Sequence, residues 1–446
     1  MQFGWLARIL GVPLLLVAAF AGKRALCQTG ILGGQAPKYV SLYDFQPDPD
    51  GAAPVSGLSS DAHSHNIYGT TQAGGTESCY GFTEGCGTVF ELIPRQLGEG
   101  QWQERIVYEF EGVADGGTPQ GSLISDPSGN LYGTTEFGGN TTACIVFGCG
   151  VVFELKRSAH GWTEEIIHAF DGAGGSQPTS GLIFDNDGNL YGTTAFGGNV
   201  NCSSVRGSPG CGVVFELKRN GSGWSEQVLH AFSETDGANP YAGLAMDHEG
   251  NLYGTTYDGG NGAGVVFELK PNSETASDGV WSEIILENFL GNISDGTPNA
   301  GVTLDDEGNV YGTTDLGGEY GSGSVFELTE SAGAWSETLL HSFTGGSDGS
   351  YPSGGVSFDR EGNLYGTTAG GGHYLSGVTF QLHNSGGSWD ETVLHNFQGG
   401  TDGEYPMGNL LLYDGAIYGT TELGGDQNCQ TNPPNSGCGM VYSISR

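Results

Sequence analysis

Residues 188–194 read Gly-Asn-Leu-Tyr-Gly-Thr-Thr, and close variants of this stretch recur along the whole chain. The tetrapeptide Tyr-Gly-Thr-Thr begins at Tyr68, Tyr132, Tyr191, Tyr253, Tyr311, Tyr365 and Tyr418. Successive copies lie 64, 59, 62, 58, 54 and 53 residues apart, and a Gly-Gly pair follows each copy two residues later. The chain is therefore one unit repeated seven times.

Further short apolar segments flank this motif in each repeat. In the third repeat they lie at 181–185, 213–217 and 224–232. They are rich in β-branched and aromatic residues and bounded by Gly, Asn or Asp, a pattern typical of strands joined by turns. Four strands in each of seven repeats predict an all-β fold, a seven-bladed β-propeller of four antiparallel strands per blade.

The ends of the chain indicate how such a ring closes. Blades are predicted at approximately 57–110, 121–170, 181–232, 243–289, 301–343, 355–397 and 408–446, within a single domain at 28–446. The last repeat stops at its third strand, whereas residues 39–45 match the pattern of a fourth strand. We expect this N-terminal strand to complete the last blade and to remove two open sheet edges.

The motif Gly-Asn-Leu-Tyr-Gly-Thr-Thr-x-x-Gly-Gly, followed by Gly-x-Val-Phe-Glu-Leu, resembles the GloVer-type tandem repeat proteins, a family of secreted bacterial proteins. The resemblance covers the chain from about Tyr39 onward. It implies a propeller-like fold and export. It implies no catalytic residue, because the family has no established activity.

The first residues have the pattern of an export signal. An apolar run at 9–20 follows Arg8, which predicts a signal peptide at 1–27 with cleavage after Ala21 or after Cys27. An uncleaved signal anchor is the alternative. No second long apolar run occurs, so we expect a mature protein without a membrane span, secreted to the periplasm or the exterior.

Composition and net charge exclude several classes of protein and of binding partner. The chain has 446 residues, 82 of them Gly, and a formal net charge of -37. The absence of a Gly-X-Y period excludes collagen, and a hydrophobic fraction of 37 % excludes a disordered acidic tail. The negative charge argues against nucleic acid and anionic membrane surfaces. We expect a monomer.

Eight cysteines remain beyond Cys27, two in each of four repeats, always between the predicted second and third strands. Even number, local pairing and export predict four loop disulfides. Thiolate metal binding is the alternative, but neither a Cys-x-x-Cys spacing nor an accompanying His supports it. The predicted pairs are Cys79 with Cys86, Cys144 with Cys149, Cys202 with Cys211, and Cys429 with Cys438.

Six of the seven links between blades carry an Asp-Gly-x-x-Pro motif or a shortened form of it, whereas the link after blade 2 lacks the aspartate. Each link enters an innermost strand on the face that holds the cystine loops. The carboxylates of the links are therefore expected to form a ring at the mouth of the central channel, where they would bind Ca²⁺. A rigid Asp-Gly turn is the alternative interpretation. The aspartates are Asp50, Asp115, Asp236, Asp295, Asp348 and Asp402.

Other repeated residues are interpreted as scaffold. Six Trp and four His recur in the predicted fourth strands, which favours packing over metal binding. They are Trp102, Trp162, Trp224, Trp281, Trp335 and Trp389, with His168, His230, His341 and His395. Non-repeated candidates for chemistry are few, namely His63 and His65 beside Asp61, and also Arg206 and His373.

Two functions compete. The first is a secreted binding or surface-interaction propeller that recognises polysaccharide, with or without Ca²⁺, or a partner protein on the cystine-loop face. Loops of that face hold Tyr80, Phe82, Phe137, Phe147, Phe196, Tyr241, Tyr257, Tyr320, Tyr351, Tyr374 and Tyr405. The alternative is a propeller-type lyase, hydrolase or lactonase acting at the central channel. No nucleophile elbow, zincin motif or phosphate loop occurs, so binding is favoured.

Overall fold

The Tyr-Gly-Thr-Thr segment forms the second strand of every blade. In blades 1 to 6 this strand consists of the tetrapeptide and the residue before it. All five residues are buried, because neighbouring blades cover both faces of the sheet. The structure is a computed structural model that describes residues 37–445 except 47–49, 62–63, 76–78, 80–84, 96–101, 145–146, 200–201, 203–208, 222, 273–280, 292–295, 427 and 430–435. The predicted signal peptide at 1–27 therefore lies outside the described residues.

Seven four-stranded antiparallel sheets form the fold. Numbered in chain order, blades 1 to 3 contain β2 (Ser59–Ser60), β3 (Ile67–Thr71), β4 (Thr88–Ile93), β5 (Gln103–Glu109); β6 (Ile124–Ser125), β7 (Leu131–Thr135), β8 (Val151–Ser158), β9 (Gly161–Ala169); β10 (Ile183–Phe184), β11 (Leu190–Thr194), β12 (Val213–Asn220) and β13 (Gly223–Ala231). Blades 4 to 6 contain β14 (Ala245–Met246), β15 (Leu252–Thr256), β16 (Val265–Pro271), β17 (Trp281–Asn288); β18 (Thr303–Leu304), β19 (Val310–Thr314), β20 (Ser324–Ser331), β21 (Ala334–Ser342); β22 (Ser357–Phe358), β23 (Leu364–Thr368), β24 (Val378–Asn384) and β25 (Trp389–Asn396).

Blade 7 combines the two ends of the chain. It consists of β26 (Glu404–Tyr413), β27 (Ala416–Leu423), β28 (Met440–Ser445) and β1 (Lys38–Asp44), with β1 antiparallel to β28. Thr420 Oγ1 donates a 3.0 Å hydrogen bond to the Ser56 carbonyl, so blade 7 also contacts blade 1. The predicted seven-bladed propeller, closed by its N-terminal strand, is confirmed.

Each residue of the repeated motif has a structural role. The Tyr191 hydroxyl lies 2.9 Å from the buried Glu216 carboxylate and 3.1 Å from Asp185. A Cβ on Gly192 would stand 2.7 Å from the Phe215 ring on the third strand, so only glycine fits there. Thr193 Oγ1 donates a 2.9 Å hydrogen bond to a carbonyl of the next blade. The motif therefore joins strands within a blade and blades to each other.

The repeated tryptophans also lie at the contacts between blades. The Trp224 ring meets Tyr132 of the preceding blade edge to face, with 6.3 Å between ring centroids. Trp162 and Tyr68 repeat this contact at 6.1 Å. These contacts support the interpretation of the tryptophans as packing residues.

Candidate binding site at the channel mouth

The links between blades and the cystine loops share one face. In the four links that follow a blade with a disulfide, the backbone N–H of the residue before the link proline donates a hydrogen bond to a cystine carbonyl of that blade, as Thr118 does to Cys86 and Asn239 to Cys211, both at 2.8 Å. Residues of the link also bridge to the segment after the second strand, for example Ser176 to Phe196. We call this side of the propeller the cystine-loop face.

Four disulfides close the loops of this face. They join Cys79 to Cys86, Cys144 to Cys149, Cys202 to Cys211, and Cys429 to Cys438, as the sequence predicts. Several disulfides in one chain indicate an oxidising, extracytoplasmic environment. Within the described part of the chain, no helix is long and apolar enough to cross a membrane.

The aspartates of the links bond to their own blades. Asp115 accepts hydrogen bonds from the N–H groups of Glu111 (3.0 Å) and Gly112 (3.1 Å), which precede it in the chain. Bonds of the same kind hold Asp50, Asp236, Asp348 and Asp402. None of these five is among the described residues that line the cavity at the channel mouth. Asp295 lies outside the described residues, and Ca²⁺ binding by the set stays a prediction.

No described histidine is among the residues that line the cavity at the channel mouth either. Those of the fourth strands pack edge-on against a phenylalanine two residues later, with centroids 4.7 Å apart for His230 and Phe232. His65 receives a hydrogen bond from, or donates one to, the Tyr413 hydroxyl at 3.0 Å. His373 is exposed. His63 and Arg206 lie outside the described residues.

A cavity of about 590 Å³ opens at the channel mouth on the cystine-loop face. Two sets of residues line it. The first set consists of the residues that follow each link proline, namely Val55, Gln120, Thr179, Tyr241, Asn299, Ser353 and Met407. The second set follows the second strand and includes Glu136, Phe196, Tyr257 and Asp315. The rigid prolines and the buried second strands thus position every one of these side chains.

One side of the cavity is aromatic. The Tyr241 ring lies 6.2 Å from Phe196 and 5.9 Å from Tyr257, centroid to centroid, and both pairs are edge to face. These three rings, which we call the aromatic wall, come from blades 3 and 4 and the link between them. The other predicted aromatics of this face include exposed Tyr320, Tyr351, Tyr374 and Tyr405 and the contacting pair Phe137 and Phe147, whereas Tyr80 and Phe82 lie outside the described residues.

Two carboxyl groups flank the aromatic wall, one from blade 2 and one from blade 5. Burial raises the pKa of Glu136 to about 7, and a 2.6 Å hydrogen bond from Gln120 Nε2 lowers it only in part. Burial raises the pKa of Asp315 to about 6. Asp315 Oδ1 is buried and has no hydrogen-bond partner among the described residues. Such groups favour a ligand that brings its own hydrogen-bond donors.

Neither carboxyl group is predicted from the sequence, although a signal for both exists there. The residue directly after Tyr-Gly-Thr-Thr varies while its neighbours repeat. In blade order this position holds Gln72, Glu136, Ala195, Tyr257, Asp315, Ala369 and Glu422. This position lies at the channel end of the second strand, and its residue changes while the structural residues around it repeat. It is therefore a candidate for contact with a ligand.

Solved structures of similar shape are propellers with low sequence identity. A protein of unknown function from Dyadobacter fermentans is 9 % identical, with a TM-score of 0.45 over 92 % of this chain and 98 % of that one. The extracellular domain of a one-component system from B. thetaiotaomicron is 12 % identical, with a TM-score of 0.49 over 92 % of this chain and 40 % of that one. A polysaccharide lyase, an ulvan lyase, is 11 % identical, with a TM-score of 0.44 over 87 % of this chain and 90 % of that one.

At these identities and TM-scores the similarity carries no argument about activity. Among curated proteins, none matches the sequence. A sequence model of the Gloeobacter/Verrucomicrobia repeat matches residues 32–205, 146–281 and 204–433, and these matches together span most of the chain. The protein therefore belongs to the Gloeobacter/Verrucomicrobia repeat family.

Proposed function

We propose that this protein is an exported binding propeller that holds an uncharged saccharide unit of a polysaccharide at the channel mouth. The aromatic wall carries this proposal. Sugar rings present apolar C–H faces that suit aromatic side chains, while their hydroxyl groups suit carboxyl and amide partners. The cavity offers both, with Tyr241 and Tyr257 on one side and Glu136 and Gln120 beside them.

Charge favours an uncharged ligand. The chain has a formal net charge of -37, and two of its carboxyl groups, those of Glu136 and Asp315, line the cavity. An anionic uronate polymer would be repelled over several ångströms at low salt, whereas a neutral glycan would not. The predicted signal peptide at 1–27 and the disulfides support export to where such polymers occur.

Replacing the aromatic wall tests the proposal. A glycan array of neutral and acidic polysaccharides is expected to identify a neutral ligand for the wild-type protein. Tyr257→Ala is expected to weaken its binding about tenfold or more, equal to about 1.4 kcal/mol. Tyr374→Ala is the matched control, because Tyr374 lies on the same face but is 54 % exposed and outside the cavity lining. Equal losses in both variants would contradict the proposal.

A second candidate is catalysis at the same cavity, and the carboxyl pair favours it. With pKa values of about 7 and about 6, Glu136 retains a proton at neutral pH more often than Asp315 does. Glu136 then suits a general acid and Asp315 a general base in a lyase, hydrolase or lactonase. Turnover of a bound glycan or a lactone that Glu136→Gln and Asp315→Asn each abolish, with binding retained, would establish it. Binding of the glycan without turnover would support the binding propeller and reject catalysis.

A further inference from the structure

Three side chains converge between blades 3 and 4, and none of them lines the cavity at the channel mouth. His230 lies on β13, Asp236 lies in the link that follows, and Glu283 lies on β17 of the next blade. His230 Nε2 stands 3.5 Å from Asp236 Oδ2 and 3.5 Å from Glu283 Oε2. One donor atom from each residue lies within 4.8 Å of the other two.

Two of these three side chains have a buried polar atom that makes no hydrogen bond to the described residues. The side chain of Glu283 is 11 % exposed and that of His230 is 19 % exposed. His230 Nε2 and Glu283 Oε1 are buried and make no hydrogen bond to the described residues. Asp236 Oδ1 accepts a 2.6 Å hydrogen bond from the Ser233 N–H, which leaves Oδ2 directed at the histidine. An unpartnered imidazole nitrogen beside two carboxylates is an arrangement that a cation would satisfy.

The donor set selects the class of cation. Ca²⁺ takes six to eight oxygen ligands, whereas an imidazole with carboxylates suits Zn²⁺ and other divalent transition metals. A tetrahedral Zn²⁺ ion with bonds of about 2.0–2.2 Å has ligand atoms about 3.3–3.6 Å apart, which matches the two measured separations. We propose that His230, Asp236 and Glu283 bind one divalent transition-metal ion, such as Zn²⁺, that links blade 3 to blade 4 and leaves one coordination position for water.

Neighbouring contacts between blades serve as internal comparisons. Between blades 2 and 3, His168 lies 3.4 Å from Glu226, but the link lacks the motif aspartate. Between blades 6 and 7, His395 forms an ordinary 3.0 Å hydrogen bond with Asp402, and the Tyr39 ring stacks on it. Both have two of the three ligands, so we expect neither to bind the metal as tightly. His341, Asp348 and Glu391 repeat the three residue types with a longer 3.7 Å separation, which predicts a weaker second site.

The test uses the full chain, freed of metal with a chelator and titrated calorimetrically with Zn²⁺ and spectroscopically with Co²⁺. Wild-type protein is expected to bind one tight equivalent, with the visible absorption of four-coordinate Co²⁺. Glu283→Gln is expected to weaken this binding about 100-fold or more, and Glu226→Gln to leave it unchanged. A cooperative melting transition of each of the three proteins in chelator shows that they are folded. A wild-type protein without the tight equivalent, or a Glu283→Gln protein that retains it, overturns the proposal.

Discussion

A chain lacking residues 39–45 is expected to lose its cooperative unfolding transition. These residues supply the outermost strand of blade 7, and their removal exposes the edge of β28. Leu42 is 5 % exposed and Phe45 is fully buried, in one cluster with Val441. Burial of these two side chains alone contributes about 5–10 kcal/mol, which is comparable with the whole stability of a domain.

Two substitutions in β1 compare the contribution of a buried side chain with that of an exposed one. Leu42→Ser is expected to lower the free energy of unfolding by about 2–5 kcal/mol, because Leu42 points into the core. Val40→Ser, on the same strand but 39 % exposed, is expected to change it by less than about 1 kcal/mol. Urea denaturation followed by tryptophan fluorescence measures both. A truncated chain that unfolds like the full one would show that β1 does not close the ring.

The free energy of unfolding is expected to rise as the pH falls from 8 to about 6. Burial raises the pKa of five glutamates at the contacts between blades, to about 8 for the first and about 7 for the rest, namely Glu104, Glu164, Glu226, Glu283 and Glu391. A carboxyl whose folded pKa exceeds its unfolded value of 4.5 binds protons preferentially in the folded state. Its contribution is complete below the unfolded pKa and is lost as the pH rises through the folded pKa.

Each glutamate contributes about 1 kcal/mol after allowance for partial exposure and screening. Two histidines act in the opposite direction, because burial lowers the pKa of His168 and His341, and their contribution is lost as the pH falls through those values. We therefore expect the free energy of unfolding to rise less steeply with falling pH below about 6.5, where the two histidines oppose the five glutamates.

One glutamate pair provides a matched test of this dependence. Glu164→Gln is expected to raise the free energy of unfolding at pH 8 by about 1 kcal/mol and to leave it nearly unchanged at pH 5. Glu337 occupies the equivalent position of blade 5 but is exposed, so Glu337→Gln is expected to have little effect at either pH. The comparison is made in chelator to exclude bound metal. Stability that does not change between pH 6 and pH 8 would contradict the role assigned to these buried carboxyls.

The fold was predictable because the same packing and hydrogen-bond contacts recur in every blade and require the same residues. Gly192 and its equivalents in blades 1 to 6 leave room for a phenylalanine ring on the third strand, and the following Thr193 bonds to the next blade, so the motif cannot vary without loss of packing. The N-terminal strand was recognisable for the same reason: Leu42 and Phe45 satisfy the fourth-strand pattern that blade 7 otherwise lacks.

The candidate site was predictable only in part. The face and the rings of Phe196, Tyr241 and Tyr257 follow from loop positions, but which loop aromatics converge depends on the geometry of the closed ring. Repetition drew attention to the link aspartates, whereas Glu136 and Asp315 lie at a position whose residue changes from blade to blade. Residues that recur in every repeat are readily identified as structural. Residues of a binding site differ from repeat to repeat, so a comparison of the repeats does not single them out.

The most direct test of the channel mouth as a functional site replaces its two carboxyls with the residue that blades 3 and 6 carry at the same position. Ala195 and Ala369 show that alanine fits there. The measurement is the affinity of the Glu136→Ala, Asp315→Ala double variant for the saccharide that the wild-type protein binds, with its melting temperature recorded in parallel. We predict an unchanged or higher melting temperature, because two buried carboxyls with raised pKa values are removed, and an affinity at least about tenfold weaker. An affinity equal to that of the wild-type protein would contradict the account.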